Sequence, residues 1–125
     1  MELIVGGAYQ GKEEYARQRF PEISWADGET CGEEELFSCQ GILNFQRYLE
    51  RRMKEGEPLD QLAERMYEKN PDMVIVADEI GCGIVPLDPF QRKFREQAGR
   101  VCTKLAEKSV RVHRVICGVG MVIKG

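Results

Sequence analysis

Glu2-Leu3-Ile4-Val5-Gly6-Gly7-Ala8-Tyr9-Gln10-Gly11-Lys12-Glu13 opens the chain with a short apolar run that breaks into a glycine-rich turn. Behind it, Tyr15, Ala16, Arg19 and Phe20 recur at helical spacing until Pro21 ends the pattern. The reading is therefore strand, tight loop, helix. Gly6 to Lys12 fits G-x-x-x-x-G-K, in which glycines let successive backbone N–H groups turn inward on an anion. The lysine would reach the terminal phosphates, and the helix N-terminus would add positive potential. The usual last residue is Ser or Thr, whose hydroxyl holds Mg²⁺, and here it is Glu13. A carboxylate at that place repels phosphates unless it holds the metal or points away. The plainer alternative is a glycine-rich turn that joins a strand to a helix and binds nothing.

Working outward, Met73-Val74-Ile75-Val76-Ala77 is apolar at every position, as a strand covered on both faces would be, and it runs into Asp78-Glu79. An apolar strand ending in acids has the form of an Mg²⁺-holding element, which makes Asp78 and Glu79 candidate metal residues. Ile23 to Ala26 reads as a second strand stopping at Asp27-Gly28. From Glu33 to about Lys54, Leu36, Cys39, Leu43, Phe45, Leu49 and Met53 recur at three- and four-residue steps, which predicts one long helix. Its acids at one end and Arg51, Arg52 and Lys54 at the other suit a helix dipole. A shorter helix follows over Leu59 to Tyr67, then a loop over Gly81 to Pro86. Asp88-Pro89 opens a helix carrying Phe90, Phe94, Ala98, Val101 and Leu105 on one face. Val110–Cys117 and Val119–Ile123 read as two last strands. This order predicts one α/β domain over residues 1–125, with a mostly parallel sheet and helices on its faces.

Eighteen Lys and Arg against twenty-one Asp and Glu give a net charge of −3, which disfavours a nucleic-acid binder. No apolar stretch approaches the ~20 residues that span a bilayer, and the N-terminus lacks the basic start of a secretory signal. The expectation is a cytoplasmic protein. Its five cysteines form no C-x-x-C pair and the one histidine is His113, so free thiols are expected rather than a zinc site. His113 lies within a predicted strand and reads as structural. Segment 92–114 is rich in Arg and Lys, which suits either a solvated helix face or a subunit contact.

Glu79-Ile80-Gly81-Cys82-Gly83-Ile84-Val85-Pro86, then Phe94-Arg95 and Ala98-Gly99-Arg100-Val101, then Gly118-Val119-Gly120 carry a resemblance. They are similar to the bifunctional adenosylcobinamide kinase / adenosylcobinamide-phosphate guanylyltransferase family. Its members have a loop G-G-x-R-S-G-K-S, a strand ending N-E-V-G-x-G-I-V-P, and a helix with F-R-x-x-A-G-R-V-N-Q. The resemblance covers about residues 1–20 and 70–125 and fades between them. It implies a P-loop α/β fold, GTP and ATP as nucleotides with Mg²⁺, a corrinoid substrate late in cobalamin assembly, and a homo-oligomer, a trimer in that family. It also implies that Arg95 and Arg100 face the phosphate loop or a neighbouring subunit.

The departures matter as much. Tyr9-Gln10 replace Arg-Ser, Glu13 replaces the Mg²⁺-binding Ser, Asp78 replaces Asn, and Cys102-Thr103 replace Asn-Gln. The chain is shorter between the first helix and Met73, where the family keeps its transiently guanylylated histidine. No histidine precedes His113 here, so that covalent route is not expected. The candidate nucleotide site is Gly6, Gly7, Ala8, Tyr9, Gln10, Gly11, Lys12, Glu13, Arg95 and Arg100. Lys12 and Glu79 are its candidate catalytic residues, and Asp78 and Glu79 its metal ligands. The expected function is a nucleotide-dependent kinase of the cobinamide type, and the alternative is an inactive nucleotide- or corrinoid-binding protein. Phe37, Phe45 and Tyr48 are expected to offer a surface for self-association, the plainer alternative being that they widen the core-facing stripe of a monomer.

Overall fold

The computed structural model describes residues 1–79 and 88–125. The glycine-rich Gly81–Pro86 stretch and Cys82 lie outside the described residues. β1 (Glu2–Gly6) leads to α1 (Lys12–Arg19), β2 (Trp25–Asp27), α2 (Glu33–Leu36) and β3 (Gly41–Leu43). There follow α3 (Phe45–Lys54), α4 (Leu62–Lys69), β4 (Val74–Asp78), α5 (Pro89–Lys108), β5 (Arg111–Ile116) and β6 (Val119–Lys124). Among the described residues these strands form one six-stranded sheet in the order β2-β3-β4-β1-β5-β6. β1 runs parallel to β4 and β5, β3 is parallel to β2 and β4, and β6 alone returns antiparallel on β5.

Both faces of the sheet are covered, which is why its central strands are apolar throughout. On one face Leu3, Ile42, Ile75, Ala77 and Val112 pack with Phe45 and Leu49 of α3, Met66 of α4 and Leu105 of α5. On the other, Ile4, Leu43, Val76 and Val115 pack with Ala16 of α1. α5 begins as the sequence predicts, with the Asp88 carboxylate accepting the Phe90 N–H and Pro89 in the first turn.

The long helix over 33–54 is not observed. Two short helices flank a strand there, and the misreading has a physical cause. Leu36, Phe45 and Leu49 do share one core, with Cys39 and Met53 packed against it, so the apolar period is real in burial. Three separate elements produce it. Ile42 and Leu43, adjacent in sequence and both buried, enter opposite cores as strand neighbours do and helix neighbours cannot. The break from β3 to α3 falls at Asn44, whose φ of 55° is left-handed, a conformation asparagine tolerates better than most residues. The acids of α2 and the bases closing α3 thus belong to different helices.

The aromatic surface expected for self-association is also corrected. Phe45 and Tyr48 are fully buried and stacked on each other, 6.1 Å between ring centroids. Phe37 is half-buried beneath the cationic ends of Arg65 and Lys69. Apart from Tyr9, Tyr67 and Val110, the exposed large apolar side chains gather elsewhere: Val119, Met121, Val122 and Ile123 on the edge strand β6, beside Ile116.

Candidate functional site

The register of β1 on β4 sets Gly6 opposite Asp78, so the first strand's loop and the fourth strand's acid leave the sheet side by side. Gly6 must be glycine, because a methyl there would lie 2.5 Å from the Val115 carbonyl oxygen and 3.1 Å from Cγ of Lys12. The loop then turns through Tyr9 at φ 61° and Gly11 at φ 84° into α1. No side chain caps that helix, which leaves its first N–H groups facing the loop. Gln10 fixes the loop from outside. Its backbone carbonyl accepts the Gly118 N–H and its side-chain oxygen accepts the Cys117 N–H, both at 2.7 Å, across the β5–β6 turn.

Lys12 is the first residue of α1, and its side chain folds back over the loop. Nζ donates to the Gly7 carbonyl at 3.0 Å and pairs with Asp78 Oδ1 at 2.6 Å. Gln46, buried on α3, accepts the Asp78 backbone N–H at 3.0 Å and so pins that end of β4. Together these residues floor a crevice of about 420 Å³, with Ala8 and Tyr9 on one rim and Asn44, Arg47 and Glu29 on the other. Lys12, Asp78 and the loop are therefore brought together. Glu13 reaches the crevice mouth, but its carboxylate is well exposed and accepts from Arg17 one turn along.

Other expected site residues are not brought there. The Glu79 carboxylate pairs with Arg114 at 3.3 Å, while its backbone N–H bonds the Gly6 carbonyl. Arg100 is exposed, pairs with Glu96, and borders a separate cleft with Leu59, Asp60 and Lys104. Arg95 is half-buried on α5 and does not line the crevice. His113 is completely buried, with Nδ1 2.9 Å from the Tyr15 hydroxyl and Nε2 2.7 Å from Glu2 Oε2, so it ties α1 to the sheet. Burial pushes the thiols of Cys39 and Cys102 up to about 11, which leaves neither as a thiolate at neutral pH.

Among the described residues no group of three or more His, Cys, Asp or Glu is arranged around a metal. Mg²⁺ rarely needs one, since it keeps its waters and uses one or two carboxylates plus substrate phosphates. The Asp78 carboxylate, beside the loop and part-exposed, fits that role; Glu79, turned to Arg114, faces elsewhere.

Residues 32–123 match the family described as cobinamide kinase / cobinamide phosphate guanyltransferase, CobU. The chain belongs to that family. The match includes β3, α3 and α4, the middle of the chain where the residue-by-residue resemblance fades, and it stops short of the loop. In Salmonella typhimurium, the bifunctional adenosylcobalamin biosynthesis protein CobU is 44% identical over 52 residues, 42% of this chain and 29% of that protein. In Pseudomonas aeruginosa, the bifunctional adenosylcobalamin biosynthesis protein CobP is 32% identical over 66 residues, 53% of this chain and 38% of that protein. The aligned stretch thus spans well under half of either relative. The family's P-loop NTPase-like fold agrees with the parallel sheet and the strand–loop–helix at its centre.

Reading the sequence missed the crevice's second wall. Glu29, Asn44, Gln46 and Arg47 all depend on β3 being a strand, and a helix running through 33–54 hides them. The available signal was Gly41 before an apolar pair and Asn44 directly after it.

Proposed function

We propose that this chain binds GTP or ATP with Mg²⁺ at the loop Gly6–Lys12 and acts in the cytoplasm as a phosphotransferase on a corrinoid in cobalamin biosynthesis. The observation that carries this is Lys12, folded over a glycine loop at a helix N-terminus and set against Asp78 in one crevice. The family and the relatives' names support the pathway. Lys12 and the loop amides would hold the phosphates, and Asp78 would hold the metal, which supplies charge neutralisation at the transferring group. Catalysis would then rest on positioning and charge. Transfer through a guanylylated histidine has no support, because the single histidine is sealed inside the sheet. Assay of phosphate transfer from GTP and ATP to adenosylcobinamide tests the proposal directly. Nucleotide binding with no transfer would favour the second reading, an inactive binding protein, to which Glu13 turned onto Arg17 points.

We also propose self-association, with the trimer of the resembling enzymes as the expected form and the edge strand β6 as the surface. Val119 is 66% exposed and Ile123 58%, on a strand that ends the sheet among the described residues. Sedimentation at micromolar concentration should show a species heavier than the 14.3 kDa chain. A clean monomer, unchanged by Val122→Lys, would refute it.

A further inference from the structure

Lys12 is already engaged by an anion of the protein itself. Its side chain is 11% exposed, its ammonium lies 2.6 Å from the Asp78 carboxylate, and the Gly7 carbonyl takes another of its protons. Asp78 cannot drift away with the phosphate, because the β1 register and the Gln46 side chain hold its backbone. The remaining charges around the crevice do not offset this. Glu13 is paired with Arg17, and Arg47 sits 3.9 Å from both Glu29 and Glu50. A polyphosphate arriving alone therefore meets a neutralised lysine with a carboxylate behind it, and gains little. A divalent cation reverses the balance. With its charge answered by such a cation, Asp78 would release the Lys12 ammonium, which could then turn to the terminal phosphate.

We infer that Asp78 is a latch on Lys12, which makes the crevice selective for the cation-bound form of a nucleoside triphosphate and closed to the cation-free form. This rests on the reading of the loop as a nucleotide site, and it assigns Asp78 a second role beside holding the metal. The two roles separate cleanly. Removing a carboxylate that only held metal would weaken binding of the cation-bound nucleotide, and would relieve its repulsion of the cation-free form equally with or without Lys12. Removing a latch strengthens binding of the cation-free form only while Lys12 is there to be freed.

The experiment is calorimetric titration of the wild type, Asp78→Asn and Asp78→Ser, and of Lys12→Ala with and without the Asp78 change, with GTP and with ATP, each in excess MgCl₂ and in excess EDTA. The serine variant provides the comparison if the asparagine one does not fold. Wild type should bind in MgCl₂ and lose about tenfold or more in EDTA, and the variants should bind in EDTA about tenfold tighter than wild type does. If the wild type binds in MgCl₂ but binds as well in EDTA, or the folded variants gain nothing in EDTA, or gain as much in the Lys12→Ala background, the latch is overturned and the nucleotide site stands. If no protein binds either nucleotide in either condition, the site reading falls and the latch with it.

Discussion

Lys12→Ala should lower the affinity for GTP or ATP in MgCl₂ by about 2–5 kcal/mol, the range for losing one partner of a desolvated charge pair. The side chain is nearly enclosed, its stem running along Gly6 and its ammonium held between the Gly7 carbonyl and Asp78. Water therefore screens it poorly, and the contact it makes with a phosphate is worth more than one on an open surface. Calorimetric titration of both proteins measures the difference. A thermal melt of each separates lost binding from lost folding, which matters because the lysine is paired with Asp78 across the crevice. Equal affinities for both proteins would remove the phosphate-loop reading, whatever the family membership.

The loop was legible because its chemistry is local. Two glycines, a lysine and a helix pattern lie within a dozen residues, and a strand before them fixes their direction. The acid of β4 was legible for the same reason, as the end of an all-apolar strand. That Asp78 rather than Glu79 faces Lys12 was not, because it depends on the parity of β4 against β1. One step along a strand reverses the side a residue faces, and nothing in the run Ala77-Asp78-Glu79 states the register. Of the two places the resemblance offers Arg100, the phosphate loop or a neighbouring subunit, the first is not met, because α5 turns it to solvent beside Glu96. The strand β3 was invisible for a different reason. At three residues it is shorter than one turn of the apolar period it interrupts, and its neighbours on both sides are helices that feed the same core.

Gly28→Ala tests the architecture that the sequence concealed. Gly28 directly follows β2, is buried, and donates its N–H to the Leu43 carbonyl at 2.7 Å, so the ends of β2 and β3 are closed on each other at this residue. A methyl at Gly28 would run into the Asn44 carbonyl oxygen and lie 2.7 Å from its carbon, contacts with backbone that cannot swing aside as a side chain would. Relief requires moving Asn44, which is already left-handed and which starts α3. Overpacking of this kind costs about 1–3 kcal/mol and more where backbone must shift, and in a chain of this size that lowers the melting temperature by roughly 5–15 °C. The control is Gly99→Ala in α5, where the new methyl meets nothing within 4 Å and φ is not positive. Removing a mid-helix glycine should raise stability by up to about 1 kcal/mol. Two glycine-to-alanine changes of opposite sign would locate the strain at the β2–β3 junction. If Gly28→Ala melts with the wild type, Asn44 is not held against Gly28 as described, and the wall it gives the crevice is not rigid.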